Sequence, residues 1–219
     1  MIQTIPATKI DLYSLKENFR LERNDHPNFF LEWQENLPEL SQIEQQELDE
    51  IKLDYLHISQ RAMLEPIVKM AVLSPLLRRA GFYRSPFYLA AEKEVKITSE
   101  DRGFVITGKL DLLIYIPQFW ILVIESKRAE YSVKVGIPQI LAYMLDAPPT
   151  SQPCFGLVTN GSEFRFVKLV KAEVNQYALS RLFSLDSDQD LGSVLRVLKS
   201  LAQRVTANYT VNYSDQINP

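Results

Sequence analysis

An unbroken apolar run that ends abruptly in charged residues is the strongest constraint on this chain. Residues 120–124 are all large and apolar, and Glu125-Ser126-Lys127-Arg128 follows at once. An apolar run of this length suits a central strand that is covered on both faces of a sheet. Charges at the end of a buried strand are costly unless they are paired or bind a metal. We therefore expect the chemistry of the protein at this end of the strand.

Four further segments have the pattern of strands. Residues 87–97 alternate loosely, and residues 104–116 are rich in β-branched and large apolar side chains. Pro117-Gln118, which lies between the second segment and the central run, predicts a turn and hence a hairpin. Later in the chain, two apolar stretches flank Asn160-Gly161, which is the strongest short hairpin signal in the sequence. These stretches are residues 154–159 and 163–170.

The remaining periodic segments have helical spacing. Residues 39–57 form a polar run with apolar side chains about every three or four positions. Residues 58–79 continue with Pro66 and Pro75, each of which starts or kinks a helix. Gly81 then ends this helical stretch. Two more helices are expected at residues 135–145 and 191–207.

This order of elements predicts an α/β protein with a mixed central β-sheet flanked by helices. We expect an N-terminal helical extension over residues 1–60, the main domain over residues 61–207 and a flexible tail over residues 208–219. The chain has 219 residues, of which 46% are hydrophobic, so a single compact domain can bury a core.

Composition excludes several classes of protein. No stretch approaches the roughly 20 apolar residues of a membrane span, and residues 1–9 lack the pattern of a signal peptide. We therefore expect a cytoplasmic protein without a membrane partner. Cys154 is the single cysteine, and with only His26 and His57 beside it no zinc set of cysteine and histidine can form. A metal would have to be held by carboxylates, which favours Mg²⁺ or Mn²⁺.

Two carboxylates and a lysine can converge at the end of the central strand. Successive strand side chains alternate faces, so Glu125 and Lys127 point the same way. Asp111 belongs to the preceding strand of the hairpin and can lie beside Glu125. Asp111, Glu125 and the backbone carbonyl of Ser126 offer oxygen ligands to Mg²⁺. Lys127 can orient an attacking water or take up its proton, so the set suits the hydrolysis of a phosphodiester.

The Glu-x-Lys pattern is weak on its own, because it occurs at Glu50-Ile51-Lys52, Glu94-Val95-Lys96 and Glu125-Ser126-Lys127. For an isolated match, a surface ion pair is the better interpretation. Only the third copy follows a buried strand and has an aspartate on an earlier strand, and this context favours a functional site. The sequence of residues 103–110 also resembles that of a phosphate-binding loop, but Leu110 occupies the position where a magnesium-binding Ser or Thr is required.

The motifs of this region resemble a known family. Gly108-Lys109-Leu110-Asp111, then Val123-Ile124-Glu125-Ser126-Lys127, then Gln139 and Tyr143 follow one another in order. They resemble the nuclease domain at the N-terminus of type I restriction enzyme R subunits, and more broadly the RecB-like branch of the PD-(D/E)XK superfamily. The resemblance covers about residues 61–171. It departs from the superfamily name at the position before the aspartate, where leucine replaces proline.

The resemblance implies a restriction-endonuclease-like fold and an Mg²⁺-dependent DNA endonuclease. The catalytic residues that it implies are Asp111, Glu125, Lys127, Gln139 and Tyr143. Taken alone, Gln139 and Tyr143 lie one helical turn apart and would be interpreted as an exposed amide and a half-buried core tyrosine. Glu65 matches an acidic residue that relatives place near the metal. A carboxylate that stabilises the start of a helix is an equally good interpretation of Glu65.

The sequence lacks the helicase motor that follows the nuclease domain in R subunits. We therefore expect a nuclease that acts alone, or with restriction-modification or helicase subunits in trans. The alternative is a nuclease-fold protein that binds nucleic acid or another protein with little or no catalysis. RNA or branched DNA would be cut by the same chemistry and stays open as a substrate, and a homo-oligomer is compatible with the sequence.

The charge balance predicts that any DNA contact is local. A net charge of −3 argues against a protein that coats DNA through its overall charge. Lys109, Lys127, Arg128 and Lys134 surround the expected site in sequence, and we predict that they form a basic surface there. Scattered, solvated charges are the alternative.

Overall fold

One mixed β-sheet with helices on both faces dominates the protein, which confirms the predicted α/β class. The computed structural model describes residues 3–99 and 103–214. Its strands are β1 (Gln3–Pro6), β2 (Leu21–Arg23), β3 (Tyr88–Thr98), β4 (Phe104–Ile116), β5 (Phe119–Ser126), β6 (Cys154–Thr159), β7 (Glu163–Val170), β8 (Asn175–Leu179) and β9 (Phe183–Ser184). Its helices are α1 (Leu12–Phe19), α2 (Gln42–Ile58), α3 (Glu65–Val68), α4 (Ser74–Ala80), α5 (Ile137–Leu145) and α6 (Asp190–Ser214).

The strands that the structure describes run in the order β1-β4-β5-β6-β7-β8-β2, with β3 beside β4 and β9 beside β7. The β4–β5 and β6–β7 pairs are antiparallel, as the turn residues predicted, whereas β5 and β6 are parallel. A parallel pair requires a crossover connection, and α5 supplies it. This crossover carries α5 across one face of the sheet, over the end of β5.

The sheet separates two apolar cores, because strand side chains alternate between its faces. On one face Leu122, Ile124 and Leu157 pack with buried residues of α2, α4 and α6. On the other face Val123 and Val158 pack against α5. The strand β5 is therefore covered on both sides, as its unbroken apolar run predicted. Burial of each such side chain contributes roughly 1.5 to 3 kcal/mol to stability.

A split in the sheet lies beside β4. One edge of β4 pairs with β3 along most of its length. The opposite edge pairs first with β1, from Phe104 to Thr107, and then with β5, from Leu112 onward. Residues 108–111 fall between these two partners. Their polar groups on that edge are therefore available for bonds to side chains, and this gap contains the candidate site.

The predicted strands are confirmed, but the first third of the chain differs from its prediction. Residues 1–60 were expected to be a helical extension, whereas β1 and β2 belong to the central sheet. These strands have four and three residues, too few to show an alternating pattern. The short strands β8 and β9 were missed for the same reason. The domain boundary itself, at residue 60, stays a prediction.

The helical stretch predicted at residues 58–79 begins later than predicted, at Glu65, and consists of α3, a π-helical turn at residues 69–73 and α4. Pro66 and Pro75 lie in the first turns of the two α-helices, as predicted. Gly81 ends α4 with φ +92°, as predicted. Helix α6 continues through residues 208–214, which belong to the tail predicted at residues 208–219, and the flexibility of that tail stays a prediction. Residues 215–219 lie outside the described part of the chain.

None of the helices in the described ranges is both long enough and apolar enough to cross a membrane.

Candidate active site

Asp111 and the end of β5 meet at the split of the sheet. The Oδ2 atom of Asp111 accepts hydrogen bonds from the backbone nitrogen of Ser126 at 2.7 Å and from its hydroxyl at 2.8 Å. These two bonds fix the carboxylate beside the last residue of β5. The sequence predicted this convergence from the β4–β5 hairpin, and the structure brings the two strands together in this way.

Glu125 is the most deeply buried charged group of the site. It is 4% exposed, and its Oε1 atom accepts a bond of 2.8 Å from the Lys127 ammonium. The same ammonium donates to Oε1 of Gln139 at 2.7 Å. Among the described residues, Oε2 of Glu125 has no hydrogen-bond partner although it is buried. A buried carboxylate oxygen without a partner is costly, and a bound cation would offset that cost.

A chain of side-chain bonds connects Lys127 to helix α5 and back to β4. Gln139 donates through Nε2 to the Tyr143 hydroxyl at 3.0 Å, and that hydroxyl donates to the backbone carbonyl of Lys109 at 3.1 Å. Gln139 and Tyr143 are both buried. Their interpretation without the family resemblance, as an exposed amide and a half-buried core tyrosine, is therefore wrong. The structure thus unites Glu125, Lys127, Gln139 and Tyr143 in one network.

Two glycines make the close packing of this network possible. A Cβ atom at Gly108 would lie 2.8 Å from both Cε1 and the hydroxyl oxygen of Tyr143, which no real side chain tolerates. A Cβ atom at Gly136 would lie 2.6 Å from Val158 and 3.3 Å from Cε of Lys127. Glycine therefore allows the tyrosine ring to approach β4 and leaves room for the lysine stem.

Burial and like charge dominate the electrostatics of the site. Burial, together with the negative charge of Asp111, raises the pKa of Glu125 to about 7, although the Lys127 ammonium acts in the opposite direction. The charge of Glu65 also raises the pKa of Glu125. Burial raises the pKa of Tyr143 to about 12, so its hydroxyl remains a hydrogen-bond donor at neutral pH.

Lys69 is a member of the site that sequence reasoning missed. Its ammonium lies 2.6 Å from Oδ1 of Asp111. It begins the π-helical turn that follows α3, and it stands four residues after Glu65. The helical spacing could have grouped Lys69 with Glu65. Nothing local could have shown its contact with Asp111, which is 42 residues away in the chain.

Glu65 is the least defined member of the predicted site. It is the first residue of α3, where its charge also stabilises the helix N-terminus. Within the described part of the chain, no group of three or more Asp, Glu, His or Cys side chains is arranged to hold a metal ion. The roles of Glu65 and of the Ser126 carbonyl as metal ligands stay predictions.

The predicted basic surface is reduced by pairing within the protein. Lys109 donates to Glu92 at 2.5 Å, and Lys127 is 14% exposed and bonded to Glu125. Arg128 and Lys134 are exposed. Lys109 is exposed as well, with 55% of its side chain accessible, but its charge is paired with that of Glu92.

Residues 84–175 match the family model of the type I restriction enzyme R protein N terminus. The matched segment is less than half of the chain, and it contains Asp111, Glu125, Lys127, Gln139 and Tyr143. Over this segment the chain is similar to the N terminus of type I restriction enzyme R proteins. Glu65 and Lys69 lie before the matched segment.

One solved structure with some similarity is a fragment assigned as the HsdR subunit of a type I restriction enzyme from Vibrio vulnificus YJ016. It shares 20% sequence identity with this protein, at a TM-score of 0.37. The alignment covers 61% of this chain and 25% of the other, so this chain matches about a quarter of that protein. No curated protein matches the chain significantly.

Proposed function

We propose that the protein is a metal-dependent endonuclease that hydrolyses phosphodiester bonds in DNA, with Mg²⁺ or Mn²⁺ as its cofactor. The observation that carries this proposal is the buried, unpartnered Oε2 of Glu125 beside a second carboxylate, Asp111. The family match over residues 84–175 supports the same function.

The donor set fits a hard divalent cation. Asp111 and Glu125 offer carboxylate oxygens, which are the ligands that Mg²⁺ and Mn²⁺ prefer. Burial first, and the charge of Asp111 second, raise the pKa of Glu125, and a bound cation would offset the repulsion between the two carboxylates. The Ser126 carbonyl and Glu65 are the further ligands that we propose. A bound ion of this kind would supply activation of a coordinated water and neutralisation of charge on the phosphate.

The protein's own contribution is a lysine held in a fixed position. An ammonium group has three donors, and Lys127 uses two of them on Glu125 and Gln139. The third donor is available to the attacking water or to a phosphate oxygen. Gln139 is itself held by Tyr143, so the orientation of Lys127 is set before substrate arrives.

DNA is the proposed substrate because the matched family belongs to restriction enzymes. In this proposal the protein acts with restriction-modification or helicase subunits in trans, or alone. RNA and branched DNA remain to be compared directly as substrates, because the chemistry at the metal is the same for each.

Incubation of supercoiled plasmid with the protein and Mg²⁺ or Mn²⁺ tests the proposal. We expect nicked or linear products that disappear with a chelator and with Glu125→Ala. Glu94→Ala is a matched control, because Glu94 occupies another Glu-x-Lys triplet on the exposed strand β3. Wild-type protein that cuts no nucleic acid with either metal, or Glu125→Ala protein that cuts normally, would refute the proposal.

A protein that uses this fold for binding alone is the second candidate. It is favoured by the two lysines that already neutralise the carboxylates, Lys69 on Asp111 and Lys127 on Glu125. Stable binding of DNA or of a protein partner without turnover would support this candidate over the nuclease.

A further inference from the structure

Asp111 has two differently occupied oxygens. Its Oδ2 atom accepts two hydrogen bonds from Ser126, while Oδ1 is in contact with the Lys69 ammonium at 2.6 Å. A cation that binds Asp111 through the oxygen that Ser126 does not occupy must therefore approach Oδ1. Two positive charges cannot share that oxygen at close range without strong repulsion, so Lys69 and a metal ion compete for it.

Lys69 is better placed to move than Lys127. The Lys127 ammonium bonds two acceptors and its side chain is 14% exposed. The Lys69 side chain is 30% exposed, and Asp111 is the acceptor of its ammonium in the structure. A lysine has a flexible four-carbon stem, so Lys69 can leave Asp111 and remain at the site.

The backbone around Lys69 is also unusual. Its carbonyl accepts a hydrogen bond from the backbone nitrogen of Ser74, five residues later, which widens the helix into a π-turn. Such turns are often found at functional sites. Here the widened turn begins at the residue that reaches the site.

We propose that Lys69 is a second functional lysine that changes partner when the metal binds. Without metal it neutralises Asp111, and with metal on Oδ1 it turns its ammonium to a phosphate oxygen of the bound strand. This inference rests on the proposed nuclease function. The exchange would keep the carboxylates compensated in the metal-free protein and would place a positive charge on the substrate only in the loaded site.

Metal affinity without DNA is the first readout. We expect Lys69→Met to bind Mn²⁺ about tenfold more tightly than wild type in calorimetry, because the competing ammonium is gone. Lys52→Met is the matched control. Lys52 also pairs with an aspartate, Asp188, and its side chain is 31% exposed, but the pair lies between α2 and the segment before α6. Its removal should leave the Mn²⁺ affinity unchanged.

Single-turnover cleavage at saturating Mn²⁺ is the second readout. Lys69→Met should cut about tenfold or more slowly, and Lys69→Arg should recover part of the rate, because arginine also binds phosphate. Lys69→Gln preserves polarity at the position and serves if the methionine variant does not fold.

Results for wild-type protein and for the Lys69 variants distinguish a failure of the nuclease function from a failure of the partner exchange. Wild-type protein that binds no metal and cuts no DNA would refute both. Active wild-type protein, with an unchanged Mn²⁺ affinity in Lys69→Met and Lys69→Gln, would refute only the exchange of partners. Tighter metal binding combined with normal cleavage would refute the phosphate contact.

Discussion

The hydroxyl of Tyr143 donates a hydrogen bond to the backbone carbonyl of Lys109, in the gap where β4 changes its partner from β1 to β5. The tyrosine thereby fills part of the split in the sheet. Through Gln139, the same hydroxyl is connected to Lys127. Helix α5 thus supports both the backbone of one strand and the lysine that follows the other.

Removal of this hydroxyl should weaken both the fold and catalysis. Tyr143→Phe removes the acceptor of the buried Nε2 group of Gln139 and the donor to the Lys109 carbonyl, which costs about 1 to 3 kcal/mol of unfolding free energy. We expect a fall of about tenfold in cleavage rate, because Lys127 loses its fixed orientation. Denaturant unfolding and single-turnover cleavage measure the two effects. Tyr131→Phe, at an exposed tyrosine, is the control and should behave as wild type.

Replacement of Lys127 should separate catalysis from metal binding. Lys127→Ala should reduce turnover by about 100-fold or more, because the water loses its positioning group. Its metal affinity should stay close to wild type, since Lys127 bonds Oε1 of Glu125 while Oε2 remains available. Glu125→Ala should instead weaken metal binding itself. Equal losses of Mg²⁺ affinity in both variants, measured by calorimetry, would contradict this division of roles.

The raised pKa of Glu125 predicts that the free energy of unfolding of the metal-free protein depends on pH. With a pKa of about 7 in the folded state, against 4.5 for an unperturbed glutamate, the folded protein binds this proton more tightly than the unfolded chain does. The contribution of this group to stability therefore declines as the pH rises from about 4.5 to about 7 and is lowest above that range.

The isosteric substitution Glu125→Gln measures this dependence on pH. At pH 8 and without metal, the variant should be more stable than wild type by up to about 3 kcal/mol, and the difference should shrink toward pH 5. Denaturant unfolding at the two pH values gives the comparison. A difference that is the same at both values would show that burial does not perturb Glu125 in this way.

The glycine of β4 should be intolerant of any side chain. Gly108→Ala places a methyl group 2.8 Å from the Tyr143 ring and 2.9 Å from Ala7, so we expect a loss of about 1 to 3 kcal/mol. Gly192→Ala is the matched control, because the nearest atom to its added methyl group is 3.4 Å away. Thermal unfolding of both variants tests this, and similar melting temperatures would mean that the packing at Tyr143 is loose.

The exposed charges beside the site should govern the salt dependence of DNA binding. Each phosphate contact makes the DNA affinity fall more steeply with salt concentration, because it releases counterions. Joint replacement of Arg128 and Lys134 by alanine should therefore make this fall less steep. Arg204→Ala is the control, because Arg204 lies near Ile116 and Phe119, at the opposite end of β5. Titrations of DNA at several salt concentrations give the slopes. A parental slope in the double variant would place the DNA on another surface.

Local pattern was sufficient to predict the elements that carry the site. The apolar run before Glu125, the turn at Pro117-Gln118 and the loop at Asn160-Gly161 depend on neighbouring residues only, and the β4–β5 and β6–β7 hairpins are confirmed. The pairing of β4 with β5 then brought Asp111 beside Ser126, next to Glu125. These relationships follow from strand alternation and turn chemistry, both of which the sequence displays directly.

Tertiary structure alone decided the features that join distant segments. The pairing of β1 with β4, which creates the gap at residues 108–111, depends on a four-residue strand without a recognisable pattern of its own. The contact of Lys69 with Asp111 depends on how α3 packs against the sheet. The pairing of Lys109 with Glu92 also neutralises one charge of the predicted basic surface. A side chain's partner is set by the packing of whole elements, whereas its direction along a strand or helix is set by the chain itself.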